Sequence, residues 1–190
     1  MRAQAGSNSS ERILEIATRI AQAHGYSGLN MRTLAEQVGV KAASLYHHFA
    51  GKTELAAAVA RRYWENSEAC LEELIVAFPD PQERLRQYPL TFRSSLESDN
   101  RICLSSFMGA EYDDLPVPVM QEVQQFAEIN IDWLARTVAE AGICPAADAR
   151  VRAQAIYAAI AGAQLLARSR ADLALFDQAI SSYRAAGLLP

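Results

Sequence analysis

The chain has 190 residues and a formal net charge of −4, with 51% of its residues hydrophobic and 21% charged. That balance supports a packed core, excludes wholesale disorder, and fits one or two domains. The longest apolar run, near 153–167, is interrupted by Gln154, Tyr157 and Gln164 and falls short of the roughly 18–20 residues of a membrane span.

The first dozen residues lack the apolar stretch of a secretory signal. Three widely spaced cysteines, Cys70, Cys103 and Cys144, predict neither a disulfide framework nor a zinc site, so a reducing, cytoplasmic setting is expected. Asn8, three residues before Glu11, reads as a capping signal for a first helix. Ile13, Ile16, Ala17, Ile20, Ala21 and His24 form its apolar face, and Gly25 ends it. Asn30 is the expected N-cap of a second helix buried through Met31, Leu34, Ala35 and Val38, with Gly39 at a sharp turn after it. A third, short helix over about 41–49 buries Leu45 and Phe49 and turns Ala43, Ser44, His47 and His48 outward. Two short helices joined by such a turn are the pattern that sets a helix into a DNA major groove.

Gly51 caps a long fourth helix that begins at Lys52 and continues to Phe78, where Pro79-Asp80-Pro81 breaks it. At 1.5 Å per residue it measures roughly 40 Å, enough to run from one domain into another. Further helices are predicted at about 81–97, 101–111, 117–141, 146–169 and 172–186, with Leu85, Leu90 and Phe92 among the residues expected to be buried. No alternating strand pattern and no internal repeat interrupt them. The expected fold class is all-α, about nine helices: a helix-turn-helix domain over 1–51 and a larger helical domain over 52–190.

Charge divides along the same line. Residues 1–62 carry eight Lys/Arg against four Asp/Glu and all three histidines, whereas residues 63–190 carry ten against eighteen. A basic head on an acidic body suits a polyanion partner for the head alone.

The run Met31-Arg32-Thr33-Leu34-Ala35, Gly39-Val40 and Leu45-Tyr46-His47-His48-Phe49-Ala50-Gly51-Lys52-Thr53-Glu54-Leu55, behind a helix ending in Gly25-Tyr26, resembles the TetR family of transcriptional regulators. The specific likeness covers about residues 10–56; the later helices match only in number, order and length. The resemblance implies double-stranded operator DNA, a small-molecule effector and a homodimer as partners, with no cofactor. Repression released by the effector is the expected function, with activation or a scaffold role for a degenerate head as alternatives. Thr33, Tyr46 and His48 then fall to phosphate contacts, as does Lys52, whose charge adds to the amides of a helix N-terminus. Ala43, Ser44 and His47 fall to base edges. Two of them have a plainer reading: Thr33 as a surface threonine, Tyr46 as a brace for the turn. Lys41 departs from the family, which commonly has Ser or Thr there; it gives up a side-chain cap worth about 0.5–2 kcal/mol and gains reach toward a phosphate. Adjacent histidines do not share a helix face, so no metal site is expected, and no nucleophile or acid–base set suggests an enzyme.

For the body, the resemblance implies an effector pocket and pairing through the last two helices. Trp64, Phe92, Cys103, Phe107 and Met108 are the first set of candidate pocket residues, and Tyr112, Phe126, Trp133 and Tyr157 the second; plain core is the competing reading for each. Cys103, near Arg101, fits either a thiolate sensor or a buried inert thiol. From Ala153 to Leu166 the chain is apolar nearly all round the helix, which requires burial on several sides. Ile156, Ile160, Ala163 and Leu166, with Phe176, Ile180 and Tyr183, are the expected dimer contacts.

Overall fold

The computed structural model describes residues 2–190, with side chains from Ser9 onward. All regular structure among the described residues is helical: α1 (Arg2–His24), α2 (Met31–Val38), α3 (Ala42–His48), α4 (Lys52–Ala77), α5 (Pro81–Glu97), α6 (Leu104–Ala110), α7 (Val117–Glu140), α8 (Ala149–Arg170) and α9 (Leu173–Ala185). Single 3₁₀ turns, Tyr112–Asp114 and Ala146–Asp148, precede α7 and α8. The all-α architecture expected from the sequence is the one observed. α1 starts upstream of Asn8, whose expected capping side chain lies outside the described residues.

Two compact units share the chain. One takes residues up to Glu65 together with Leu104–Gln125; the other takes Asn66–Cys103 and Phe126–Pro190. The unit carrying the helix-turn-helix is thus wider than the 1–51 span read from sequence. The reason lies in its core: Ile13, Ala17, Leu34, Leu45, Leu55 and Val59 are buried in one cluster with Leu104, Met108, Leu115 and Val119. Residues from α6 and the start of α7 complete a core that α1–α4 begin.

Capping sets the boundaries in both units. Asn30, Asp80 and Asp172 each accept hydrogen bonds from backbone N–H groups in the first turn of α2, α5 and α9, satisfying donors that a helix start leaves open. Arg101–Cys103, expected to be helical, is not. Asp99 and Asn100 adopt left-handed backbone conformations ahead of it. Asn100 Nδ2 donates to the Arg168 carbonyl at 3.1 Å while Arg168 Nη1 donates to the Asn100 carbonyl at 2.9 Å, which holds that turn open.

In the second unit α8 packs on α9 and α5. Tyr88 stacks on Trp133 with ring centroids 5.5 Å apart, and Trp133 Nε1 donates to the Leu71 carbonyl at 3.1 Å. Leu90, expected inside, is exposed. The buried stripe of α5 runs Leu85, Tyr88, Phe92 and Leu96, and Leu90 sits roughly 200° around the helix from Tyr88 at about 100° per residue.

Candidate nucleic-acid interface

The turn between α2 and α3 is built almost entirely from local bonds. Gly39 sits in the left-handed region at φ 79°, ψ 32°. Its N–H reaches the Glu36 carbonyl at 3.1 Å while the Val40 N–H reaches Ala35 at 2.9 Å. These two bonds form a Schellman ending, which closes α2 and redirects the chain within two residues. Only a residue without a Cβ takes that conformation freely.

α3 is seven residues long, too short to hold itself in water. Leu45 and Phe49, both buried, fasten it to the core. Its outer face carries what the sequence placed there: Lys41, Ala43, Ser44, Tyr46 and His47 are exposed, and His48 is half-buried with its ring 6.4 Å from that of Phe49. Thr33, also exposed, lies in the first turn of α2. Lys41 occupies the N-cap of α3 with extended backbone and makes no side-chain capping bond, as its chemistry requires. Its ammonium is therefore not spent on the helix.

Lys52 opens α4 on the same unit. Its Nζ lies 4.2 Å from the centroid of the Tyr26 ring and donates to the Ser27 carbonyl at 3.4 Å. An ammonium has three donors, so these contacts leave capacity for a phosphate oxygen. In the sequence Tyr26 figured only in the Gly25-Tyr26 match and was given no role at the interface. Such a surface (small and hydrogen-bonding groups on an anchored helix, flanked by cations) can sit in a groove and hold the backbone on either side.

The expected pocket residues separate. Phe92, Tyr157, Trp133, Cys103 and Phe126 all belong to the second unit. Phe92 meets Tyr157 edge-on at 6.1 Å and Tyr88 at 5.7 Å, so a run of aromatic rings extends from Tyr157 to Trp133. Burial pushes the phenols of Tyr88 and Tyr157 well up, with neighbouring phenol and thiol groups adding to it, so both stay neutral. The polar groups that accompany these rings were missed in the sequence. Gln164, fully buried, accepts from the Cys103 N–H at 2.9 Å and donates to the Phe92 carbonyl at 2.6 Å. Asn130 accepts from the Tyr88 hydroxyl at 2.9 Å.

The other candidates are placed elsewhere. Met108 is buried in the core of the first unit, to which Trp64, Phe107 and Tyr112 also belong. Trp64 donates through Nε1 to Glu122 at 2.8 Å, and Tyr112 stands exposed on a 3₁₀ turn. Cys103 is buried, and the Arg101 guanidinium is paired with Asp99 at 3.0 Å. Of the expected dimer contacts, Ile156, Ile160, Ala163, Phe176 and Ile180 are buried within the single chain, and Tyr183 is half-buried. Leu166 is exposed. Among the described residues no group of three or more His, Cys, Asp or Glu is placed to hold a metal, and no helix is long and apolar enough to cross a membrane.

Fold and face together define a helix-turn-helix domain within an all-helical chain. Residues 13–59 match the family model of bacterial regulatory proteins of the tetR family. Over 82 residues the chain is 32% identical to the transcriptional regulator LmrA of Bacillus subtilis, covering 43% of this chain and 44% of that protein. Over 54 residues it is 43% identical to the transcriptional repressor AcnR of Corynebacterium efficiens, covering 28% and 29%. The chain therefore spans less than half the length of the curated relatives it matches. A solved TetR-family regulator from Agrobacterium tumefaciens superposes over 90% of this chain and 93% of its own, with a TM-score of 0.83 and 26% identity. The family likeness thus lies in residues 13–59, and the chain shares its fold with solved TetR-family regulators.

Proposed function

We propose that the protein is a homodimeric DNA-binding repressor released by a small-molecule effector, and not an enzyme. The observation that carries this reading is the outer face of α3, where Ala43, Ser44 and His47 stand exposed together with Lys41 and Tyr46 on a helix fastened by Leu45 and Phe49. Two such helices, one from each protomer, fit successive major grooves about 34–36 Å apart on a pseudo-palindromic operator. Thr33, Tyr46, His48 and Lys52 hold the phosphates.

Pairing falls to the side of α8 that the chain leaves bare. Val151, Ala155, Ala158, Gly162 and Leu165 recur at three- and four-residue steps and are all exposed, Val151 by 68% and Leu165 by 58%. Small residues in that stripe let a second helix approach closely, and exposed Ala174, Ser181 and Ala185 on α9 continue the pattern. The effector reading rests on the aromatic run from Tyr157 to Trp133 with Gln164 beside it, whose rings offer apolar contact and whose amide offers orientation.

The test is binding of purified protein to DNA from its own upstream region, followed by fluorescence anisotropy across a salt series. Salt-sensitive binding by a dimer is expected. His47→Ala changes the preferred sequence, whereas Lys52→Ala weakens binding to every sequence and flattens the salt dependence. A folded dimer with no salt-sensitive affinity for that DNA defeats the proposal and favours a scaffold role. Operator position relative to the promoter separates repression from activation.

A further inference from the structure

The loop joining α1 to α2 is gripped from two directions. Glu111, just after α6, aims its carboxylate at two successive backbone N–H groups: Tyr26 at 2.5 Å and Ser27 at 3.1 Å. Gly25 makes room for this approach. It has φ +68°, and a Cβ built there would lie 2.1 Å from Glu111 Oε2. Consecutive N–H groups behind a left-handed residue form a concavity suited to an anion, and here an acid 85 residues away along the chain fills it. From the other direction, Lys52 rests over the Tyr26 ring and bonds the Ser27 carbonyl. The same two residues that Glu111 holds by their N–H groups hold Lys52 by ring and carbonyl.

We infer that Glu111 is a positioning residue for DNA binding, fixing through Tyr26 and Ser27 the place where the Lys52 ammonium meets the phosphate backbone. This rests on the DNA-binding reading above. Lysine carries a compact charge on a flexible four-carbon stem, and a loosely held one loses that freedom only when it binds. Seating it on a fixed ring and carbonyl meets that cost in advance, provided the loop itself is fixed. Glu111 supplies the fixing. The consequence runs against simple charge counting. Removing an acid from a unit that binds a polyanion should tighten binding, whereas removing Glu111 loosens it.

The experiment uses the full chain and anisotropy on upstream DNA over a salt series, with Glu111→Gln, Glu111→Ala, Lys52→Ala, the Glu111→Ala/Lys52→Ala double variant, and Asp113→Asn as a neighbouring exposed acid. Glu111→Gln and Glu111→Ala are expected to weaken binding about 3- to 10-fold and to lower the salt slope by about 1. The double variant binds no more weakly than Lys52→Ala alone, and Asp113→Asn binds as well as wild type or better. Tyr26→Leu keeps the backbone bonds to Glu111 but removes the ring under Lys52, and reproduces the loss; it decides the matter should both Glu111 variants melt below the assay temperature. Unchanged or tighter binding by the Glu111 variants, or additive losses in the double variant, overturn the inference while leaving the DNA-binding reading intact. A folded wild-type chain that binds no DNA removes both.

Discussion

Glu122 holds Arg61 through a single carboxylate oxygen, which accepts from Nη2 at 2.5 Å and from Nε at 3.0 Å, while its other oxygen accepts from Trp64 Nε1. Burial works against the ionised carboxylate, but the bonds from Arg61 and Trp64 and the charge of Arg61 outweigh it and hold the Glu122 carboxyl below its ordinary range. The Arg61 pKa is raised in return, first by that hydrogen bond and then by the charge of Glu122. A carboxyl whose folded pKa is depressed stabilises the fold above its unfolded value, about 4.3, and loses that contribution as pH falls through the folded value. Glu122→Gln should therefore lower the melting temperature at pH 7 and reduce its dependence on pH between about 5 and 3. Melting curves across that interval decide it; parallel pH profiles for the two proteins would remove Glu122 from the acid response. Added salt should shrink the pH 7 difference, since Arg61 is largely exposed.

Gln164→Leu tests the buried amide of α8. The substitution keeps much of the volume but removes the bonds to the Cys103 N–H and the Phe92 carbonyl. Leaving a buried backbone group without such a bond costs about 1–3 kcal/mol. Urea denaturation should show a loss on that scale with an unchanged slope. A loss below about 0.5 kcal/mol, the range of ordinary surface changes, would mean the amide is not structurally required.

Gly39→Ala and Lys41→Ser should move stability in opposite directions. A Cβ at Gly39 meets nothing within 4 Å, so the cost is that of forcing alanine into φ +79°, about 1–2 kcal/mol. Serine at position 41 supplies the cap that α3 lacks and should add about 0.5–2 kcal/mol. If Lys41 reaches a phosphate, Lys41→Ser also lowers the salt slope of DNA binding by about 1. Thermal melts and the salt series together separate the two roles, and a stabilised variant with an unaltered slope would confine Lys41 to the helix start.

Leu165→Glu and Ile160→Ala distinguish the two sides of α8. Leu165 is exposed, so a charge there should leave the protomer fold within about 0.5 kcal/mol while dissociating the proposed dimer. Ile160 is buried inside the chain, and truncating it should cost about 2–5 kcal/mol of fold stability. Sedimentation velocity and chemical denaturation measure the two effects. A dimer unaffected by Leu165→Glu would place the interface elsewhere.

What the sequence disclosed was what neighbouring residues decide. Asn30 and Gly39 carry their conformations in their own chemistry, and the α2–α3 turn followed from them. Leu45 and Phe49 named the inner side of α3, and the exposed residues followed by elimination. α8 resisted the same treatment because a helix apolar nearly all round has no periodicity to say which side its own chain takes; Ile156 and Ile160 went inward and Val151 and Leu165 did not. Gln164 read as an interruption of an apolar run, when its amide ties α8 to the Phe92 carbonyl of α5 and to the Cys103 N–H. Nothing near Glu111 in sequence shows the N–H groups it serves. Leu104 and Met108 looked like body residues for the same reason: their partners in α1–α4 are separated from them by the whole of α5.

The last of these has a practical side. A fragment cut after Glu65 would carry every residue of the helix-turn-helix, yet would present to water the apolar surface that Leu104, Met108, Leu115 and Val119 cover. Exchanging DNA specificity between relatives of this shape therefore means transplanting two discontinuous pieces of sequence. A hybrid made at a single junction inherits a mismatched seam inside the very module it was meant to move.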